Sequence, residues 1–191
     1  MKVVAFNGSP RVDGNTSKMI EEVFTVLNDG GIDTEIVQIG GNPVMGCTAC
    51  NICFETKNRR CAIVDDYVNG CIEKMLEADG IIFGTPTYFA DLSPEVKALI
   101  DRAGMVALAN NAMFKKKVGA AVVAVRRGGS VHAFDSINHF FLISQMIIPG
   151  SSYWNLSLAW RKGDFEKDKE GIRTMRVLGE NMAWLLRKIN Q

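Results

Sequence analysis

Four cysteines in one short segment are the residues of this sequence whose types and spacing most directly indicate chemistry. Cys47, Cys50 and Cys53 are each separated by two residues, and Cys61 follows after a gap of seven residues. Thiolates are soft, anionic ligands, and two-residue gaps allow a loop to wrap several sulfur atoms around one centre. The four thiols therefore suit a [4Fe-4S] cluster. A tetrahedral zinc site would use the same four thiolates. Alternatively, the loop binds no metal or becomes oxidised.

Two further features surround the four cysteines. Lys57, Arg59 and Arg60 lie between the third and the fourth cysteine, where their charges could moderate the negative charge of a cluster and thereby its potential. The fifth cysteine, Cys71, lies on a predicted helix and is expected to be a small core residue.

The second segment that could do chemistry is the loop at residues 8–16. It lies between a predicted strand and a predicted helix, where backbone N–H groups and the helix dipole both favour an anion. Polar donors and one planar cation make this loop suit a phosphate, and these residues are Ser9, Arg11, Asn15 and Thr16. The spacing does not match a P-loop, a dinucleotide-binding glycine motif or a nucleophile elbow. A purely structural turn is the remaining alternative.

The elements that must position these loops follow from the hydrophobic pattern. Short apolar runs bounded by turn residues indicate strands buried on both faces, and they alternate with segments of helical periodicity. The predicted strands are residues 3–6, 32–39, 80–84, 118–125 and 146–148. The pattern predicts one α/β domain, residues 1–191, with a doubly wound parallel sheet in the flavodoxin-like order 2-1-3-4-5 and helices on both faces. A cysteine-rich insertion loop occupies residues 40–64, and Asp65 and Asp66 are expected to cap the helix after it.

This topology also predicts where a ligand binds. In open parallel sheets, ligands bind beyond the carboxyl ends of the strands, near the point where the strand order reverses. The loops at residues 7–15, 85–91 and 126–130 follow the first, third and fourth strands. We therefore expect these three loops to converge at one edge of the sheet.

Several motifs together resemble the NADPH-dependent FMN reductases, and especially the iron–sulfur flavoproteins among them. The resemblance rests on Gly-Ser-Pro-Arg-x-x-Gly-Asn-Thr at residues 8–16, on Gly-Ile-Ile-Phe-Gly-Thr-Pro-Thr-Tyr at residues 80–88, and on Lys97 with Asp101 and Arg102. It extends over nearly the whole chain. The cysteines resemble the compact motif that holds a [4Fe-4S] cluster in iron–sulfur flavoproteins, although the final gap before Cys61 is longer here.

The resemblance implies that the chain binds FMN through three groups of residues. The phosphate would contact Ser9, Arg11, Asn15 and Thr16. The isoalloxazine ring would lie against Pro86, Thr87, Tyr88 and Phe89. Further contacts would come from Arg126, Arg127, Gly128 and Gly129.

Physical chemistry gives an independent account of the ring site. A flavin needs a flat apolar platform, which Tyr88 and Phe89 can supply, and an arginine near its N1 edge would favour the anionic reduced form. Alternatively, Phe89 is a core residue and both Arg126 and Arg127 are solvated. Trp160, like Trp154, is expected either to cover a flavin or to pack at a subunit interface.

Composition and charge exclude several other classes of protein. With 47% hydrophobic and 23% charged residues, the chain is typical of a globular protein rather than a disordered one. A net charge of +1 lacks the basic field on which nucleic-acid binding depends. The longest apolar run, residues 118–125, has the length of a strand, so no membrane span is expected. Turn residues follow the first strand too early for a signal peptide, so a cytoplasmic location is expected.

These observations lead to one principal hypothesis and two alternatives. The principal hypothesis is an FMN-dependent oxidoreductase of the iron–sulfur flavoprotein type, which exchanges electrons with NAD(P)H, a small molecule or a ferredoxin-like protein. FMN itself would be the redox centre, so no catalytic side chain is expected. The alternatives are a plain NAD(P)H-dependent FMN or quinone reductase without a cluster, and a non-enzymatic flavodoxin-like carrier or redox sensor. The resemblance also implies a homodimer or homotetramer in which a cluster faces a neighbouring flavin.

Overall fold

The computed structural model describes residues 1–190, in which strands and helices alternate along the chain. The strands are β1 (Lys2–Asn7), β2 (Asp33–Gln38), β3 (Gly80–Pro86), β4 (Val118–Val125) and β5 (Leu156–Leu158). The helices are α1 (Asn15–Asp29), α2 (Ile52–Thr56), α3 (Val68–Glu77), α4 (Pro94–Ala109), α5 (Ser130–Ile143) and α6 (Lys169–Ile189), and Phe165–Lys167 forms a 3-10 turn. No helix within residues 1–190 is long and apolar enough to cross a bilayer.

All five strands belong to one parallel sheet with the order β2-β1-β3-β4-β5, which confirms the predicted fold class. Strand β4, which lies between β3 and β5, is buried along its whole length, as its uninterrupted apolar sequence predicts. In the sheet register Phe6 of β1 lies beside Phe83 of β3, which lies beside Ala121 of β4. The carboxyl ends of these strands therefore lie at one edge of the sheet.

Helices cover both faces of the sheet, and the apolar residues form one core on each side. Helices α1 and α6 pack on one face, where Met19 and Leu178 belong to the same cluster as Ile82 of β3. Helices α3, α4 and α5 pack on the other face, where Ile72 and Leu99 join Phe83. Neighbouring side chains of β3 point to opposite faces, so this one strand contributes to both cores.

The position of the fifth strand differs from the prediction. Residues 146–148 were expected to form it, but only Ile147 pairs with the sheet, in a single parallel bridge to Val118. Pro149 follows directly and has no backbone N–H to continue the pairing. The chain instead joins the sheet at β5, where Leu156 lies beside Val123.

The cysteine-rich insertion has little regular structure apart from the single short helix α2. It is fastened at its end by Asn69 of α3, whose amide group accepts a bond from the Cys61 N–H and donates to the Cys61 and Ile63 carbonyls. Helix α3 begins at Val68, and the Val68 N–H donates to Asp66 Oδ1. Neither Asp65 nor Asp66 is the N-cap residue, which is Tyr67 and has no side-chain cap bond; Asp66, one position before it, binds the first helical N–H instead.

Candidate functional site

The loops that follow β1, β3 and β4 converge on one cavity of about 270 Å³, close to the lower end of the range for small-molecule sites. None of the residues that line it is acidic, and two of them are arginines, so the cavity favours an anionic ligand. The lining residues are Ser9, Arg11, Asn15, Thr16, Pro86, Thr87, Tyr88, Ala124, Arg126, Ala159 and Trp160.

The first loop holds its polar groups at the amino end of α1. Ser9 N donates to Asn7 Oδ1 at 3.1 Å, and Arg11 N donates to Ser9 Oγ at 3.2 Å, which leaves the Ser9 hydroxyl hydrogen available. Helix α1 starts at Asn15 without a side-chain cap, so its first backbone N–H groups are available to a ligand. Thr16 is in this first turn and is almost completely buried.

Asn15 lines the cavity and also bonds to another segment of the chain. Its Nδ2 donates to the Arg161 carbonyl at 3.0 Å, and its Oδ1 accepts from the Phe165 N–H at 3.3 Å. These bonds tie the amide group to the segment between β5 and α6 and use one of its two Nδ2 hydrogens. Asn15 thus fixes the wall that faces the first loop.

The second loop presents Tyr88 to the cavity and turns Phe89 away from it. Thr87 N donates to the Ala124 carbonyl, and Tyr88 and Asp91 exchange backbone hydrogen bonds across the turn. Phe89 has a φ of 46°, is fully exposed and does not line the cavity. Thr87 Oγ1 is buried and has no hydrogen-bond partner within residues 1–190.

The third loop contributes one arginine and supports the second loop. Arg126 lines the cavity, whereas Arg127 and Gly128 are exposed and do not line it. Gly129 lies behind the second loop with a φ of 91°, and a Cβ atom there would be 2.6 Å from Ala90 Cα. Only glycine fits this close backbone approach.

A fourth segment, between β5 and α6, completes the cavity with Trp160. Arg126 lies over the Trp160 ring, with its guanidinium carbon 4.2 Å from the ring centre, and Arg11 Nη1 donates to the Trp160 carbonyl at 3.3 Å. The backbone N–H groups of Arg161 and Trp160 donate to Asp164 and lower the pKa of its carboxyl group, so this turn carries a stable negative charge at neutral pH. Trp160 is thereby held beside both arginines.

The four clustered cysteines line a second, much smaller cavity of about 20 Å³. Cys47 and Cys50 are exposed, Cys61 is half-buried, and Cys53 is buried with its Sγ 3.9 Å from the Met105 carbonyl of α4. Burial is the largest cause of the raised pKa of the Cys53 thiol. The space between the thiols holds about one water molecule. Among residues 1–190, no three Cys, His, Asp or Glu side chains are arranged to bind a metal ion.

Cys71 lies apart from this cavity on α3, as expected of a core residue. It is buried, and burial raises the pKa of its thiol to about 12. Such a thiol is inert, since thiolate formation controls cysteine reactivity.

The sequence is similar to a known family of proteins. The sequence model of NADPH-dependent FMN reductases matches residues 1–161. Over the full lengths of both chains, the sequence is 35% identical to an iron–sulfur flavoprotein of Methanocaldococcus jannaschii. The chain belongs to the NADPH-dependent FMN reductase family, among its iron–sulfur flavoproteins.

Other relatives agree with this membership. An iron–sulfur flavoprotein of Methanosarcina thermophila is 32% identical, over 100% of this chain and 98% of its own. Two solved structures share the fold at 18% identity. One is a flavone reductase, with a TM-score of 0.74 over 100% of this chain and 65% of that one. The other is a WrbA-like flavodoxin from Agrobacterium tumefaciens, with a TM-score of 0.66 over 98% of this chain and 97% of that one.

In this chain, eight of the twelve residues predicted for the cofactor line one cavity, and four do not. Those that line it are Ser9, Arg11, Asn15, Thr16, Pro86, Thr87, Tyr88 and Arg126. Those outside are Phe89, Arg127, Gly128 and Gly129. Ala159 was missed because it follows β5, whose position was predicted wrongly; Ala124, at the end of β4, was missed because an alanine gives no chemical signal.

The basic residues predicted to moderate a cluster lie outside the cysteine cavity. Lys57, Arg59 and Arg60 are exposed, and Arg60 forms an ion pair with Glu73 of α3. The cation that lines the cavity is Arg102 of α4. Its Nε lies 3.3 Å from Cys61 Sγ.

Proposed function

We propose that this chain is an FMN-dependent oxidoreductase that binds FMN in the cavity at the carboxyl edge of the sheet. The observation that carries the proposal is the convergence of separate loops on a cavity with two arginines and no carboxylate. One end offers backbone and hydroxyl donors, and the other offers aromatic rings. This combination matches a phosphate ester that is joined to a flat ring.

At the phosphate end, the ligand would be bound by the amino terminus of α1. The uncapped N–H groups of the first turn, the Ser9 and Thr16 hydroxyls and the Arg11 guanidinium supply donors of the kind an anion requires. Because Asn15 is bonded to the opposite segment, its contribution to binding would be to hold the wall in place.

At the ring end, Tyr88 and Trp160 would enclose the isoalloxazine ring. The buried Thr87 hydroxyl has no hydrogen-bond partner among residues 1–190, and a buried donor that stays unpaired destabilises the fold, so it would bond to a polar atom at the edge of the ring. Arg126 would lie near the ring and favour the state with added negative charge. FMN, when bound, supplies hydride and single-electron transfer, and the side chains position it and tune its potential.

We further propose that Cys47, Cys50, Cys53 and Cys61 bind a [4Fe-4S] cluster. Four thiols that line one cavity are the donor set such a cluster uses, and the full-length relatives named above are iron–sulfur flavoproteins. The cavity is smaller than a cluster, so Cys47 and Cys50, which are exposed on the insertion, would have to move outward. The cluster would supply single-electron exchange with a ferredoxin-like partner.

Anaerobic purification, followed by reconstitution with iron and sulfide, tests both proposals. We expect flavin absorbance with about one FMN per chain, and iron with acid-labile sulfide in wild type. Cys61→Ala should lose iron, whereas Cys71→Ala, on α3 outside the cavity, should retain it. A wild-type protein that binds no flavin would refute the FMN proposal, and one that binds flavin without iron would refute the cluster.

A plain NAD(P)H-dependent quinone or FMN reductase is the second candidate function. It is favoured by the small size of the cysteine cavity and by a 33% identical NAD(P)H dehydrogenase (quinone) of Trichlorobacter lovleyi, aligned over 73% of this chain and 67% of its own. Stopped-flow mixing with NADPH and NADH distinguishes the two. Rapid bleaching of the flavin by either nucleotide, in protein without iron, would establish this reductase; no bleaching would favour a carrier or a ferredoxin-dependent protein.

We also propose that the chain assembles as a homodimer or homotetramer. Large apolar side chains are exposed around the edge strand β5, among them Trp154 and Leu158. Exposed apolar residues that cluster in this way are typical of an interface. Sedimentation equilibrium should give twice or four times the chain mass, and a monomer at micromolar concentration would contradict the proposal.

A further inference from the structure

Arg102 of α4 is the largest of the fully buried side chains, and the hydrogen bonds and ion pair of its guanidinium group all reach the cysteine-rich insertion and the residues that follow it. Nε donates to Cys61 Sγ at 3.3 Å, and Nη2 donates to the Ile63 carbonyl at 2.8 Å. Nη1 donates to the Met45 carbonyl at 3.2 Å and forms an ion pair with Asp66. One guanidinium group therefore holds both ends of the segment that carries the four cysteines.

The partners of the guanidinium group have different effects. Asp66 is almost completely buried and balances the charge at Nη1, so that the buried cation is not left unpaired. The Met45 and Ile63 carbonyls fix the chain on either side of the motif. The N–H at Nε is directed at the Cys61 sulfur. A lysine could not make all these bonds, because its ammonium group is a point charge without the planar fork.

We propose that Arg102 is a positioning residue for the cluster: it sets Cys61 as the fourth ligand and, through its hydrogen bond to that sulfur, raises the reduction potential. This inference rests on the cluster proposed above. Cys61 is the ligand that most needs such support, since seven residues separate it from Cys53, whereas the other gaps are two residues. Hydrogen bonds to ligand sulfur atoms and nearby positive charge favour the reduced, more negative cluster.

The test compares Arg102→Gln and Arg102→Lys with the matched control Arg60→Gln. The control removes the same charge one residue from Cys61. In the wild type, the Arg60 guanidinium group is exposed and pairs with Glu73. Each protein is purified anaerobically and reconstituted. Its FMN, iron and sulfide contents are measured, and the cluster potential is determined by a redox titration followed by electron paramagnetic resonance.

We expect both Arg102 variants to retain FMN, because Arg102 does not line the FMN cavity. We expect Arg102→Gln to lose at least half of its iron. In Arg102→Lys, the ratio of reduced to oxidised cluster at a fixed potential should fall about tenfold, which corresponds to a potential about 59 mV lower for a one-electron couple. Arg60→Gln should match wild type in both measurements.

The outcomes separate this inference from the proposals on which it rests. Wild-type iron content and an unchanged potential in both Arg102 variants, with a loaded wild type, would overturn the inference and leave the cluster in place. A wild type that takes up no iron would overturn the cluster and the inference together. If Arg102→Gln loses FMN as well, it has unfolded, and the potential of Arg102→Lys decides. A purely structural role would lower the unfolding temperature without moving that potential.

Discussion

At the proposed phosphate end of the cavity, removal of the Thr16 hydroxyl group tests whether this residue binds the phosphate of FMN. Its side chain is buried in the first turn of α1 and lines the cavity. Thr16→Val removes the hydroxyl and keeps the shape. A hydrogen bond to a charged group contributes about 1.5–3 kcal/mol, so the Kd for FMN should rise about 10- to 150-fold. Quenching of flavin fluorescence during titration of the apoprotein measures it.

Riboflavin, which lacks the phosphate, provides the comparison for this prediction. Its Kd should stay unchanged in Thr16→Val, because only the phosphate would contact the hydroxyl. Thr25→Val is the matched control on the same helix, where the hydroxyl is exposed and donates to the Glu21 carbonyl. An equal loss of FMN and riboflavin affinity in Thr16→Val would show that Thr16 does not contact a phosphate.

At the ring end, Arg126 and its neighbour Arg127 form a natural pair for a test of charge. Arg126 lines the cavity beside Trp160, whereas Arg127 does not line it. Arg126→Gln should lower the two-electron potential of the flavin, because one positive charge near the ring is worth on the order of 1.4 kcal/mol, or about 30 mV. Arg127→Gln should leave it unchanged. Spectroelectrochemical titration measures both, and equal shifts would exclude a specific role for Arg126.

At the scale of elements, the start of α5 and the turn after β3 depend on each other through Gly129. Its φ of 91° and the 2.6 Å separation that a Cβ atom would have from Ala90 Cα leave no room for a side chain. Gly129→Ala should lower the free energy of unfolding by about 1–3 kcal/mol and weaken FMN binding, because the loop that carries Tyr88 must move. Urea denaturation and flavin titration measure the two effects.

Gly128 provides the control for this prediction within the same loop. A Cβ atom there would meet no other atom within 4 Å. Gly128→Ala should therefore change the free energy of unfolding by less than about 0.5 kcal/mol and leave FMN affinity as in wild type. If both alanine variants behaved alike, the contact between Gly129 and Ala90 would not be what holds the loop.

Across the whole molecule, the sheet could be predicted from the sequence wherever a strand is buried on both faces. The strands β1, β3 and β4 carry short apolar runs that are bounded by turn residues. Runs of this length and with these flanking residues are typical of buried parallel strands. The edge strand β5 has three residues, of which Leu158 is exposed. Its position depends on pairing with β4 rather than on local pattern, and the apolar residues 146–148 gave a stronger local signal.

The site could be predicted to the extent that it follows from topology. The convergence of three loops follows from the strand order, and donor-rich sequence identified the first loop. The direction of Phe89 could not be predicted, because it depends on a left-handed backbone that packs against Gly129. The contact of Arg102 with Cys61 joins residues 41 positions apart in sequence, and no local pattern reveals it.

The stability of the whole molecule should decrease in acid because carboxylates are held ionised by buried or paired cations. Burial alone would raise the pKa of Asp66, but the hydrogen bonds from Arg102 and from the Val68 N–H outweigh it and lower the pKa. Hydrogen bonds from Lys74 and Lys2 lower the pKa of Glu35 in the same way. A carboxylate whose pKa is lower in the folded state stabilises the fold above its unfolded pKa and loses this effect as the pH falls through its folded pKa.

The free energy of unfolding should therefore stay nearly constant from neutral pH to about pH 5 and decrease below about pH 4.

Asp66→Asn leaves the buried Arg102 without its carboxylate and should cost about 3–5 kcal/mol at pH 7. Because Asp66 contributes less as it becomes protonated, the difference from wild type should shrink between pH 4 and pH 2. Glu73→Gln, which breaks the exposed pair with Arg60, should cost at most about 1 kcal/mol. Urea denaturation across this pH range measures the differences, and a deficit of Asp66→Asn that is independent of pH would show that the Asp66 charge does not stabilise the fold.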